Sequence, residues 1–304
     1  MQKVSQNRII QESIFIPVEN GEVLHMRRIS PGKPGPAVFM LHGAVENAQI
    51  FYSENGKGLG PFLAENGYDV YAADLRGRGL SRPHVGRGSD YGQNEAINTD
   101  IPAFLEKIRL IRGGWPDFWI AHSWGGVLLT SHIARYPERS GSIKAMVYFG
   151  SKRMVRVWNI QKILLIDLAW KHLSRLIIKI WGYLPAKKFR MGSDDESDRS
   201  HLHCKLWVKN TGWVDRDDGF DYGSAVKKTG LPPILYLAAE NDMCLGNPAD
   251  VKFFMEESGG GGRFVLIGKK YGNRHDYDHV SMMTHPDAPA DHFPLVLQWM
   301  RAHQ

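Results

Sequence analysis

Six short apolar runs, at residues 38–41, 70–73, 118–121, 145–149, 234–238 and 264–267, constrain this chain more than any other feature. Each is continuous, whereas a strand with one face in water alternates apolar and polar residues. Continuity implies burial on both faces, as in a parallel sheet covered by helices. Helix-length segments around 61–66, 98–111, 125–136 and 249–257 fall between the runs, and 291–302 makes a final helix. Residues 13–18 and 22–28 flank the turn Glu19-Asn20-Gly21 and read as an antiparallel hairpin. The expected class is therefore α/β: a mostly parallel central sheet with an antiparallel N-terminal hairpin and helices on both faces.

The run 118–121 passes directly into His122-Ser123-Trp124-Gly125-Gly126. A strand that turns sharply into a helix holds one side chain in a strained conformation above the sheet edge. Small neighbours are needed there because the two backbones meet. Gly125 and Gly126 supply them on the helix side, and Ala121 stands where a Gly-x-Ser-x-Gly pattern has its first glycine. Ser123 is the candidate nucleophile; a serine merely capping a helix would leave the two glycines unexplained. The run 37–41 ends in His42-Gly43-Ala44, a loop able to aim a backbone N–H at a developing oxyanion. The N–H groups of Ala44 and of Trp124, the residue after the nucleophile, are the candidate donors. Late in the chain, 233–239 is followed by Glu240-Asn241-Asp242, and 273–280 carries His279. An acid at the carboxyl end of a late parallel strand can orient a histidine base, so Asp242 and His279 complete the set.

The chain order Ser123, Asp242, His279 is that of the α/β-hydrolase triad, and the chain resembles that superfamily over nearly its whole length. Residues 62–71, Arg76-Gly77, Ser81-Arg82 and the Tyr-x-His pattern in Asp276-Tyr277-Asp278-His279 resemble acid lipases of the gastric and lysosomal type. The resemblance implies an α/β-hydrolase fold and hydrolysis of fatty-acyl esters through a serine acyl-enzyme. Chain length and a shorter, basic insertion after Gly150 depart from that family. The mechanism requires no metal or organic cofactor. The expected organisation is a core from 1–150 and 231–304 with a helical cap at 151–230. Serine peptidases or amidases, thioesterases and acyltransferases share the triad, whereas a silent binding protein of this fold would have no need of all three residue types. Epoxide hydrolysis or dehalogenation would call for a carboxylate at position 123.

The cap carries the unusual composition. Between Lys152 and Arg190 ten basic residues face one acid, Asp167, in a chain of net charge +6. Residues 160–183 read as a helix with Lys171, Arg175 and Lys179 on one polar stripe. Ile163, Ile166, Trp170, Ile177 and Trp181 lie among the apolar residues that cover the rest. Such a helix either packs as a lid with its stripe in water, or lends those five residues to an acyl pocket and its basic residues to an anionic membrane. Basic residues interleaved with bulky aliphatics, outside any nucleic-acid motif, exclude nucleic acid as a partner; a small-molecule or lipid ester is the expected one.

Other features are assigned no chemistry. The acidic stretch 192–198 is expected in solvent. His275 and His279, four apart with carboxylates between them, could hold a transition metal on a helix, but the triad accounts for His279 and no metal site is assigned. His285 and His292 are alternative bases. His42 and His122 are read as shaping their turns. Two cysteines, no apolar leader in 1–11 and no run of about 18 apolar residues lead to the expectation of a reduced, cytoplasmic protein, with any membrane contact peripheral.

Overall fold

The computed structural model describes residues 9–209 and 212–304. Among the described residues ten strands form in chain order: β1 (Ile10–Pro17), β2 (Val23–Ser30), β3 (Ala37–Leu41), β4 (Asp69–Asp74), β5 (Phe118–His122), β6 (Ala145–Phe149), β7 (Tyr183–Leu184), β8 (Glu196–Ser197), β9 (Ile234–Ala239) and β10 (Arg263–Ile267). Eight of them make one sheet in the order β1-β2-β4-β3-β5-β6-β9-β10. The pairs β1/β2 and β2/β4 are antiparallel and the rest are parallel. The expected hairpin is present, and its first strand starts at Ile10.

The continuous apolar runs are explained by two cores. Along β3, Ala37, Phe39 and Leu41 enter one buried cluster while Val38 and Met40 enter the other. Tyr71 and Ala73 alternate with Val70 and Ala72 on β4, and Trp119 and Ala121 with Phe118 and Ile120 on β5. The period of two therefore persists, but both faces are dry. Helices Ile101–Arg112, Trp124–Arg135 and Pro248–Glu257 cover the first face, and Leu59–Glu65 and Phe293–Arg301 the second.

The insertion after β6 carries a long helix, the small antiparallel pair β7/β8 and helices Asp198–Lys209 and Tyr222–Val226. Trp207, Trp213 and Tyr222 join the core cluster that contains helix Trp124–Arg135. The Arg153 guanidinium, fully buried, donates to the Trp207 carbonyl (2.7 Å) and to Glu257 (2.9 Å), tying this insertion to helix Pro248–Glu257.

The long helix departs from expectation. Over Lys162–Leu173 it is wound as a π-helix, and it becomes α-helical over Ser174–Trp181. The wider i→i+5 winding redistributes residues around the axis, so the α period does not hold over Lys162–Leu173. Ile166 and Ile177 are buried, but Ile163 is 39% exposed. Arg175 and Lys179, four apart on the α-helical part, do reach solvent, but the outward side also carries apolar residues: Ile160, Leu164, Leu168, Leu176 and Ile180 are each more than half exposed. The side chain of Lys171 lies outside the described residues.

Candidate active site

The end of β5 makes the sharp turn expected of it. Ser123 has φ 53° and ψ −122°, and helix Trp124–Arg135 starts at the next residue. A positive φ is unfavourable for serine, and the surrounding contacts hold it there. A side chain at Gly125 would strike the Leu41 carbonyl, and one at Gly126 would strike Ser151, which is why both neighbours lack one. Gly43 is equally constrained: its missing Cβ would sit 2.8 Å from the Ser123 Cβ.

Three residues from distant parts of the chain meet at this turn. Ser123 Oγ lies 2.9 Å from His279 Nε2, and His279 Nδ1 lies 2.6 Å from Asp242 Oδ2. Because a carboxylate only accepts, Nδ1 carries the proton and Nε2 presents its lone pair to the serine hydroxyl. Burial works against the Asp242 charge, but His279 outweighs it and holds the Asp242 pKa below the usual carboxylate value. His279 reaches its position on a loop that Tyr277 pins by donating its hydroxyl hydrogen to Asp291 (2.6 Å).

The loop after β3, which carries Ala44, is set by His42, which the sequence singles out only as a turn-shaper. Leu75 N–H donates to His42 Nε2 (3.2 Å), so Nδ1 bears the proton and donates to the Gly43 carbonyl (2.8 Å). In a trans peptide the carbonyl and the following N–H point opposite ways, so fixing the Gly43 oxygen also fixes the Ala44 N–H. The N–H groups of Ala44 and Trp124 have no acceptor among the described residues.

The alternative bases have other partners. His292 Nε2 meets the Met282 carbonyl at 2.7 Å, and His285 Nδ1 accepts from the Asp287 N–H at 3.2 Å. His275 and His279 do not converge on one metal position. Among the described residues, His275 groups with His285 and Asp287, and His279 with Glu46 and His122, with ligand atoms within 4.8 Å in each set.

Two groups of residues were not legible beforehand. Glu46 Oε2 accepts from the Gly43 N–H (2.9 Å) and meets His122 Nδ1 at 2.8 Å. Burial opposes the Glu46 charge, yet His122 brings its pKa down to about 2. Burial likewise opposes charge on His122, and Glu46 raises its pKa nonetheless. The second group corrects the expectation that 192–198 is solvated. Glu196, 1% exposed, pairs with Arg78, which is buried in the loop after β4. Asp194 Oδ2 accepts from the Gly79 N–H (2.6 Å). A buried guanidinium requires a counter-charge, and the acidic run folds inward to provide it.

Of the five cap residues, Trp170, Ile177 and Trp181 share an apolar cluster with Val45, the neighbour of Ala44. Ile166 is buried, and Ile163 stands toward solvent.

The sheet order and the turn at Ser123 define the α/β-hydrolase class. The model of the family described as Serine aminopeptidase, S33 matches residues 32–210, more than half of the chain, and the chain belongs to that family. It is 26% identical over 153 residues to human lysosomal acid lipase/cholesteryl ester hydrolase, covering 46% of this chain and 38% of that protein. It is 28% identical over 152 residues to human lipase member M, covering 45% and 36%. The chain thus spans well under half the length of these relatives. Among solved structures, the esterase RhEst1 from Rhodococcus sp. ECU1013 superposes with a TM-score of 0.58 at 14% identity, covering 97% of this chain and 99% of that one. The Pyrococcus furiosus esterase Pf2001 gives 0.56 at 16%, covering 96% and 92%. These two likenesses are of fold. The matched family makes this chain an α/β-hydrolase, and the lipases are proteins it is similar to. No helix among the described residues is long and apolar enough to cross a membrane.

Proposed function

We propose that the protein hydrolyses carboxylic esters of medium or long acyl chains through a covalent acyl-enzyme on Ser123. The observation that carries this reading is the unbroken line Ser123 Oγ, His279 Nε2, His279 Nδ1, Asp242 Oδ2, with spans of 2.9 and 2.6 Å. His279 takes the serine proton as Oγ attacks the acyl carbon, while Asp242 stabilises the imidazolium that forms. The Ala44 and Trp124 N–H groups receive the charge that develops on the carbonyl oxygen. Fixed donors that gain strength only as that charge appears favour the transition state over the substrate. His279 then returns its proton to the leaving alcohol, and a water deprotonated by the same nitrogen releases the acid. None of these steps calls for a cofactor.

The acyl chain is assigned to the cap side of the oxyanion loop, where Trp170, Ile177 and Trp181 pack with Val45 and Ile166 is buried nearby on the same helix. The exposed apolar face of that helix, in the most basic part of the chain, suits the surface of an anionic membrane from which a lipid ester would be drawn. The core at 1–150 and 231–304 would then supply the chemistry and the cap at 151–230 the choice of substrate.

The test is covalent labelling with a fluorophosphonate, peptide mapping of the label, and an ester chain-length series. A label on Ser123 and turnover that rises with chain length are expected. A label elsewhere, or none, would remove the reading. The family description favours one second reading, amide hydrolysis with the same triad, and faster cleavage of aminoacyl anilides than of aryl esters would select it.

A further inference from the structure

Immediately before the nucleophile, His122 is fully buried with both ring nitrogens engaged. Its Nε2 lies 2.9 Å from the backbone carbonyl oxygen of His279, which can only accept. Its Nδ1 lies 2.8 Å from Glu46 Oε2, an oxygen that already accepts the Gly43 N–H. Two obligatory acceptors require two donors, so the ring carries a proton on each nitrogen and is an imidazolium. Its ring is tilted 45° to that of His279, with ring centroids 4.7 Å apart.

We propose that His122 and Glu46 are a positioning pair for the proposed reaction, an imidazolium–carboxylate couple that holds the oxyanion loop, the nucleophile turn and the base loop in register. The inference rests on the triad reading above. Glu46 comes from the oxyanion loop and grips it through Gly43, His122 is joined covalently to Ser123, and its other proton grips the main chain of His279. Three segments from distant parts of the sequence are thereby referred to one ring. The couple is also nearly neutral as seen by His279. Its positive member alone would oppose protonation of the base, and its negative member alone would favour it. Among the described residues, Asp242, from the turn after β9, also faces the His279 ring. Lys152 acts at longer range on Asp242, and Asp242 on Asp278.

Two measurements test this on the whole chain. Nitrogen-15 NMR of histidine-labelled protein at about pH 8, where an ordinary histidine is neutral, should show one imidazole protonated on both nitrogens, and that signal should be absent in His122→Gln. Its absence in the unaltered protein would overturn the proposal without touching the triad reading. The second is the acid limb of kcat/KM with an acetate ester. In His122→Gln the Glu46 carboxylate is left uncompensated beside His279, so the limb should move to higher pH by about one unit. In His122→Gln/Glu46→Gln both charges are gone and the limb should return to the unaltered value. A limb that stays in place in the single variant, or stays shifted in the double, overturns the proposal. If His122→Gln does not fold, Glu46→Gln should lose at least about tenfold in kcat with KM retained, and Glu46→Asp should recover part of it; no recovery overturns the proposal. Ser123→Ala in the same assay tests the triad separately, since activity that survives there removes the reading on which this one rests.

Discussion

The Glu196 carboxylate accepts the Val45 N–H at 3.2 Å, joining β8 of the insertion to the loop that carries Ala44. Val45 has φ 50°, a conformation a β-branched residue rarely adopts, so the insertion takes part in holding the loop in shape. The same carboxylate neutralises Arg78. Replacing Glu196 by Ala should lower stability by about 3 kcal/mol, because it strands a buried guanidinium, and should lower kcat as Val45 relaxes. Thermal unfolding and ester turnover measure the two effects. Unchanged values in both would show that the cap contact is incidental.

For the triad, Ser123→Ala and His279→Ala should each reduce kcat by several powers of ten, roughly as the double variant does, with the fold intact. Asp242→Asn should cost a large but smaller factor, because the imidazole keeps a partner while its cation loses the opposing charge. Steady-state kinetics beside circular dichroism would decide it. A silent Asp242→Asn would point to another carboxylate.

Gly43 offers a steric test of the site. A methyl group there would meet Ser123 Cβ at 2.8 Å and Glu46 Oε2 at 2.9 Å. Gly43→Ala should therefore displace the oxyanion loop and lower kcat by about a hundredfold, the usual scale for loss of an oxyanion donor. KM for a short ester should change little, and near-normal turnover would argue against the Ala44 donor.

Acid stability should report the Glu46–His122 couple. Glu46 has its pKa lowered to about 2, so its contribution is full above the ordinary glutamate value and is lost as pH falls toward 2. His122 is shifted the other way, so its contribution is full below the ordinary histidine value and is lost as pH rises through its raised one. Denaturant titrations of Glu46→Gln should thus differ from the unaltered protein by a few kcal/mol near neutrality, on the order of 3 kcal/mol shared by the pair, and converge near pH 2. A difference that does not depend on pH would mean that the carboxylate is not ionised.

The cap should govern chain-length preference. Each buried methylene contributes up to about 0.8 kcal/mol, so four added carbons could raise kcat/KM by about two powers of ten before the pocket fills. Trp170→Ala or Trp181→Ala should flatten that rise and spare acetate esters. Leu164, Leu168 and Leu176 changed together to Ser should weaken binding to anionic vesicles without lowering turnover of a soluble ester. If acetate is preferred and vesicles are ignored, the cap is a plain lid.

The sequence by itself determined the sheet, because burial on both faces leaves a local mark in continuous apolar runs such as 145–149. It also determined the turn at Ser123, since close backbone approach demands small residues at adjacent positions, and it placed Asp242 and His279 by the strands they follow. Tertiary structure decided what depends on pairing across the chain. Glu46 meets His122 from 76 positions away, and Glu196 meets Arg78 from 118. Neither pairing has a local pattern, because a buried charge selects its partner by proximity in the fold. The acidic run around Glu196 looked solvated for that reason. The long helix of the insertion escapes for another: a period of 3.6 does not describe Lys162–Leu173, whose wider winding leaves Ile163, Leu164 and Leu168 toward water.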